Sequence, residues 1–153
     1  MDIIGKFTNG TISVSNMKFY GDREYIYECD CDITVTTPLY SITCHFIKLE
    51  FFYDDLSIQP ENNVFLIEYE ATTSTIKYGA QQFKIYSTNL LVNKKGIEIK
   101  SEQNGLQTQL FLEFDDRDDQ ETLNSFLIEL SAYYEHLQEE YYSKMNGWEY
   151  LTS

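Results

Sequence analysis

The chain has few residues of the kinds that build catalytic or metal centres. Its 153 residues include two histidines and three cysteines. No HExxH, GxSxG, P-loop or dinucleotide-binding glycine pattern occurs in it. The histidines, His45 and His136, are far apart in sequence and fall in different predicted elements. We therefore predict that the protein is not an enzyme, with no catalytic residues and no cofactor.

Long apolar runs are also missing. No segment approaches about 18 consecutive apolar residues, so no membrane span is expected. Residues 1–6 lack a basic stretch followed by an apolar one, so we expect no secretion signal and a cytoplasmic location. Two prolines and seven glycines leave no segment typical of a flexible linker, and we predict a single domain over residues 1–153.

The chain is rich in negative charge, which is concentrated near its C-terminal end. Residues 113–153 hold eleven acids and two bases, and therefore −9 of the total net charge of −14. A field of one sign attracts partners of the opposite sign and repels nucleic acid and anionic membranes. We therefore predict a basic protein partner, no direct nucleic-acid binding and no membrane binding.

Alternating apolar and polar residues predict antiparallel strands throughout the strand-rich residues 1–114. In residues 24–36 the odd positions are mainly apolar and the even positions mainly polar, which is the period of a half-buried strand. The other predicted strands are 11–20, 40–53, 64–71 with an extension to residue 78 left open, 82–87, 90–93, 97–101 and 107–114.

A hairpin through residues 36–39 is predicted to join two of these strands. Their apolar faces match only if paired residues have numbers with an odd sum, and a four-residue loop then places Val35 opposite Tyr40. Beyond Phe46 the apolar phase moves to Ile47. This change of phase predicts a β-bulge, or a strand that is covered on both faces.

Three cysteines and one histidine on this hairpin raise the question of a zinc site. The predicted register turns Cys29, Cys31 and Cys44 inward and His45 outward, opposite Asp30, so the four side chains do not converge on one metal. We predict buried thiols and no metal site. A disulfide between Cys31 and Cys44 stays open for an oxidising compartment, although an odd number of cysteines favours reduced thiols.

The spacing of the apolar residues changes near residue 118. From there on they recur on one side of a helical wheel with 3.6 residues per turn. They are Leu123, Phe126, Leu127, Leu130, Tyr134, Leu137, Tyr141 and Met145. This stripe predicts one amphipathic helix over about residues 118–146. Asp118 and Glu121 resemble a capping box at its start, and Asn146 with Gly147 predicts its end.

The order of these elements predicts an α+β fold. We expect an antiparallel β-sheet or partly closed barrel of about six to eight strands, with the long C-terminal helix packed on it. In element order alone, strands followed by one long helix, this arrangement resembles a pleckstrin-homology-type domain, and no sequence motif accompanies the likeness.

Three groups of acids are the candidate partner-binding residues. The first surrounds the start of the helix, the second lies opposite its apolar stripe without lysine or arginine, and the third is the polar face of strand 24–36. The groups are Asp115, Asp116, Asp118, Asp119 and Glu121; Glu129, Glu135, Glu139 and Glu140; and Glu28, Asp30 and Asp32. The simpler interpretation of each group is a solvated surface, and acids at a helix start also interact favourably with the helix dipole.

Charge, size and the lack of catalytic residues favour an acidic, non-enzymatic inhibitor. It would occupy the basic, nucleic-acid-binding surface of a partner such as a nuclease. Toxin immunity proteins and phage-encoded inhibitors of bacterial defence, including anti-CRISPR proteins, belong to this class.

Two other hypotheses stay open. The aromatic run from Phe46 to Tyr53 would line a pocket for a small ligand or peptide, or the protein would be a structural component that assembles through its helix. The oligomeric state is not predicted.

Overall fold

The computed structural model describes residues 2–19, 28–50, 67–103, 105–115 and 117–152. It confirms the α+β fold, because an open, curled antiparallel sheet is followed by one long helix packed on it. The elements are β1 (Ile3–Phe7), β2 (Gly10–Phe19), β3 (Glu28–Thr36), β4 (Tyr40–Glu50), β5 (Ile67–Tyr78), β6 (Gln81–Asn93), β7 (Gly96–Gln103), β8 (Leu106–Glu113) and α1 (Arg117–Thr152).

Each strand of the eight-stranded sheet pairs with the strand that precedes it in the chain. Strand β1 was not predicted, because its two adjacent isoleucines and a glycine hide the alternation. In the structure Ile3, Gly5 and Phe7 face inward, while Ile4 and Lys6 face outward. The separately predicted strands 82–87 and 90–93 form the single strand β6.

In the β3–β4 hairpin the residue numbers of each pair near the turn have an odd sum, as predicted, but the register differs from the prediction. Val35 lies opposite Ile42 rather than Tyr40. The reason is a tighter turn than expected, since the main-chain N–H of Thr37 donates to the carbonyl of Tyr40 at 2.8 Å. Only Pro38 and Leu39 then remain in the turn. The register is shifted by two residues, which keeps every side chain on its predicted face but changes its partner.

The predicted β-bulge in β4 is confirmed. Cys31 lies opposite Phe46, and Cys29 lies opposite Leu49, so β4 contains one extra residue between these two pairs. The predicted inward position of Ile47 is wrong, because 68% of its surface is exposed. The bulge instead returns Leu49 to the buried face.

A second bulge lies in β2, between Ser15 and Lys18. It contains Asn16, whose φ of 55° is in the left-handed region that asparagine tolerates better than most residues. The bulge moves the buried positions of β2 from even numbers, as at Val14, to odd numbers, as at Phe19.

The apolar stripe of α1 covers the inner face of the sheet, as predicted. Its buried members are Leu123, Phe126, Leu127, Leu130 and Tyr134. The ring of Tyr134 contacts that of Phe19, with centroids 5.0 Å apart. The predicted end at residues 146–147 is wrong, because α1 continues through Gly147 to Thr152. A glycine costs only about 1 kcal/mol inside a helix, so residue type alone does not force a helix to end.

Gly10 marks the place where the curled sheet comes close to itself. A Cβ atom at this position would overlap the main-chain oxygen of Thr36 in β3 and lie 2.6 Å from the Cδ1 atom of Leu112 in β8. We predict that Gly10→Ala lowers the free energy of unfolding by about 2 kcal/mol or more, measured by urea denaturation, because the overlapping oxygen of Thr36 belongs to the main chain of the paired strand β3 and cannot withdraw without distorting the ladder.

Gly79→Ala is the matched control for this prediction. Gly79 has a φ of 60° and open space around its Cα, so its substitution adds backbone strain without a clash. We expect a loss of about 1 kcal/mol for this control. A Gly10→Ala protein no less stable than the Gly79→Ala protein would contradict the proposed close approach.

Candidate functional site

The first candidate surface lies on the side of α1 that faces away from the sheet. We call it the acidic helix face and define it as Glu121, Ile128, Glu129, Glu135, Glu139 and Glu140. All six side chains are exposed. Ile128 lies between the first and last of these glutamates and is 61% exposed. Glu121, Glu135 and Glu139 lie near one line along the helix, and Glu129 and Glu140 lie about a quarter of a turn away from Glu121 and Glu139.

The predicted absence of a basic residue on this face is wrong at its N-terminal end. The Nε atom of Arg117 lies 3.7 Å from a carboxylate oxygen of Glu121, one helical turn away. Further along, the Nε2 atom of His136 lies 3.1 Å from Glu140. Exposed pairs of this kind contribute only about 0.3–0.5 kcal/mol. The face therefore keeps its negative charge, with five glutamates against one arginine.

Asp119 is not available to a partner, and its assignment as a partner-binding residue is wrong. It is only 2% exposed. One carboxylate oxygen accepts hydrogen bonds from the main-chain N–H and the hydroxyl of Thr8, at 2.8 and 3.0 Å. The other accepts from the main-chain N–H of Asp115 at 2.8 Å. We call these three residues the Asp119 cluster, which joins the β1–β2 turn to the start of α1.

Hydrogen bonding also keeps Asp119 ionised. Burial raises the pKa of its carboxyl group, but the hydrogen bonds from Asp115 and Thr8 outweigh burial and lower the pKa below its ordinary value. The carboxylate also lies in the first turn of α1, where the helix dipole favours negative charge. Asp119 therefore connects the first turn of α1 to the β1–β2 turn and to the segment that precedes the helix.

The other acids near the helix start differ from one another. Asp115 is exposed, and its carboxylate accepts a hydrogen bond of 3.1 Å from the side-chain amide of Asn9. The same amide donates to the main-chain oxygen of Glu113 at 2.9 Å. Asp118 is exposed, and Asp116 lies outside the described residues. Part of this acidic run therefore holds the fold together, and only its exposed members remain candidates for binding.

The third group, on β3, is linked to a histidine. A carboxylate oxygen of Asp32 lies 2.8 Å from Nδ1 of His45, and the other oxygen accepts from the amide of Asn16 at 2.9 Å. The predicted partner of His45 was Asp30, and the two-residue change of register explains the difference. Asp30 is half-buried on the same strand, and the side chain of Glu28 lies outside the described residues.

The three cysteines are buried, free thiols, as predicted. In the observed register Cys44 lies opposite Ile33, so it does not face Cys31. A hydrogen bond with Cys29 and burial raise the pKa of Cys31 well above its ordinary value. Burial raises the pKa of Cys44 to about 11. Among the described residues, no group of three or more His, Cys, Asp or Glu is placed to hold a metal ion.

The aromatic run proposed for a ligand pocket is only partly described. Phe46 is buried in the core between the sheet and α1, and residues 51–53 lie outside the described residues. In the described part of the chain, no helix is long and apolar enough to cross a membrane.

Comparison with protein-family models, with curated proteins and with solved structures found no match to this chain. The site is therefore interpreted from its own geometry.

Replacing Asp119 tests the role of the Asp119 cluster. We predict that Asp119→Asn lowers the free energy of unfolding by about 1–3 kcal/mol, because the amide turns an NH₂ group towards an N–H donor that loses its acceptor. Asp118→Asn removes the same charge from the exposed neighbour and should cost less than about 0.5 kcal/mol. Equal losses in the two variants would show that charge near the helix dipole, not the hydrogen bonds, explains the effect.

The pH dependence of this difference follows from the lowered pKa of Asp119. A carboxyl group with a lowered pKa in the folded state stabilises the protein above the pKa of the unfolded state, about 4. That contribution to stability is lost as the pH falls through the lower pKa that Asp119 has in the folded state. Urea denaturation at a series of acid pH values should therefore show the wild type approaching Asp119→Asn in stability. A difference that is constant down to the lowest pH would contradict this assignment.

The buried thiols should be unreactive in the folded protein. Because the thiolate is the reactive form, burial and a raised pKa both slow modification. We predict that Ellman's reagent labels the folded protein at least about 100-fold more slowly than the protein in concentrated guanidinium chloride. Rapid labelling of one thiol in the native protein would identify a cysteine with access to solvent and contradict the described packing.

Proposed function

We propose that this protein is an acidic, non-enzymatic inhibitor that binds the basic, nucleic-acid-binding surface of a partner protein. The acidic helix face is the proposed contact surface. The observation that carries this proposal is the exposure of Ile128 among five exposed glutamates on one side of α1. A single exposed apolar side chain is common on protein surfaces, so the support comes from the position of Ile128 on a face that has five glutamates and one arginine.

The dimensions of the acidic helix face suit a protein interface. From Glu121 to Glu140 it extends over about 28 Å of helix, at about 1.5 Å per residue. Protein interfaces commonly have an apolar centre and a polar rim. Ile128 would supply the apolar centre, with the exposed Asn124, Ser125 and Ala132 beside it and Glu121 and Glu135 two turns away on either side. The helix is fixed at its start by the Asp119 cluster, so the face can bind as a rigid surface with little loss of conformational entropy.

The charge of the face favours a partner that otherwise binds nucleic acid. Glu135 and Glu139 are one turn apart, about 6 Å along the helix axis. A row of carboxylates at such intervals can occupy lysine and arginine side chains that would bind phosphates. Such an interaction would associate rapidly and weaken with salt. A nuclease fits this description, and toxin immunity and anti-defence proteins of the anti-CRISPR type are the functional class that we propose.

The test compares two triple variants with the same change in net charge. Glu129, Glu135 and Glu139 are changed to Gln on the acidic helix face, and the exposed Glu70, Glu102 and Glu113 are changed to Gln elsewhere. Wild type and both variants are used to capture partners from a native lysate at low and high salt, and the captured protein is purified for nuclease and DNA-binding assays.

We expect the wild type to capture a basic nucleic-acid-binding protein, to release it in moderate salt and to inhibit it in competition with DNA. The helix variant should inhibit at least about tenfold more weakly, and the control variant should stay within about twofold of the wild type. Equal weakening by both variants would assign the effect to net charge. If DNA does not compete with this protein for the captured partner, the protein does not bind the partner's nucleic-acid-binding surface, and the proposal is contradicted.

A further inference from the structure

A small cleft opens on the outer face of the sheet, opposite the face that α1 covers. It lies across β4, β5 and β6 and has a volume of about 390 Å³. This volume is near the lower end of the range for small-molecule sites. The lining residues are His45, Thr73, Thr75, Gln82, Phe83 and Lys84. The cleft is therefore small and lined mainly by polar groups.

Two lysines make this part of a strongly acidic protein locally basic. Lys84 lies opposite Thr75 in the β5–β6 ladder, and Lys77 lies opposite Gln82 on the same face. The ammonium group of Lys84 lies 5.7 Å from the centre of the Tyr86 ring. Among the described residues, no carboxylate forms an ion pair with either lysine. Lys84 lines the cleft and Lys77 lies diagonally across the ladder from it, so both add positive charge on this face.

His45 is held in one orientation at the edge of the cleft. Its Nδ1 atom lies 2.8 Å from Asp32, and its Nε2 atom lies 3.1 Å from the hydroxyl of Thr75. Asn16 donates to the second oxygen of Asp32 at 2.9 Å. The contact between Nε2 and the hydroxyl of Thr75 therefore fixes both side chains at the edge of the cleft. The carboxylate of Asp32 is engaged by His45 and Asn16.

We propose that this cleft binds the phosphate group of a small molecule. Lysine binds phosphate as a point charge, and threonine hydroxyls and the glutamine amide supply hydrogen-bond donors. A phosphate monoester carries about −1.5 to −2 charges near neutral pH, which suits two lysines better than a single carboxylate would. The small volume favours a metabolite-sized ligand over a polymer.

A nucleophilic role for Thr75 is less well supported than binding. The spacing of Asp32, His45 and Thr75 is that of a base-activated hydroxyl. However, the main chain of Thr75 is paired with Thr43 on one side and Lys84 on the other. This strand therefore offers no pair of free N–H groups to stabilise an oxyanion, and we assign the three side chains to ligand binding.

The test is an NMR titration of the full-length, ¹⁵N-labelled protein at constant ionic strength. The probes are inorganic phosphate, glycerol 1-phosphate and glycerol. We expect saturable shifts of the Thr75 and Lys84 amide signals with both phosphate compounds and none with glycerol. Tighter binding of glycerol 1-phosphate would identify an organic monoester as the ligand, and equal binding would identify the free anion. Shifts that do not saturate, or are absent, would overturn the proposal.

Two lysine variants separate a local site from general charge. Lys84→Gln should weaken phosphate binding about three- to fivefold, as expected for loss of one exposed ion pair. Lys6→Gln removes the same charge from an exposed position on β1 and should stay within about twofold of the wild type. Equal effects of the two variants would overturn the proposal. The helix triple variant should bind phosphate normally, so failure here is distinguishable from failure of the proposed inhibitor function.

Discussion

The position of α1 depends on one buried carboxylate. Asp119 connects the turn after β1, through Thr8, to the main chain that enters the helix, at Asp115. The side-chain amide of Gln120 donates to the main-chain oxygen of Lys94 at 2.6 Å and adds a link to the β6–β7 turn. With its start fixed in this way, the helix lays its apolar stripe along the inner face of the sheet. The acidic helix face must then point outward, so the fold determines which glutamates are exposed.

Sequence periodicity was sufficient for the fold class and for the faces of most strands, but not for the pairing of side chains across β3 and β4. Matching the apolar faces requires only that the two residue numbers of each cross-strand pair have an odd sum. A register shifted by two residues satisfies that requirement equally well. The choice was made by the turn at Pro38, through a hydrogen bond that composition does not reveal. This one difference placed His45 beside Asp32 instead of Asp30. The network that borders the outer cleft was therefore beyond prediction.

The candidate binding residues show the same limit in another form. A run of acidic residues indicates where charge is concentrated. It does not distinguish a solvated carboxylate from a buried one that accepts hydrogen bonds from main-chain N–H groups. Asp118 and Asp119 are neighbours with the same side chain, yet one is exposed and the other is buried. The distinction arises from the β1–β2 turn, which is more than a hundred residues away in sequence. On α1 the helical period itself separates the two faces, and the residues buried there belong to the predicted apolar stripe.

The simple order of the sheet has a consequence for synthesis on the ribosome. Since every strand pairs with the one made just before it, the sheet can grow as the chain emerges. The segment that covers its apolar side comes last, after all eight strands. A nascent chain that stops before α1 would therefore present an uncovered layer of isoleucine, valine and cysteine side chains. Such an intermediate is the kind that chaperones bind, and its lifetime depends on how soon the final helix is translated.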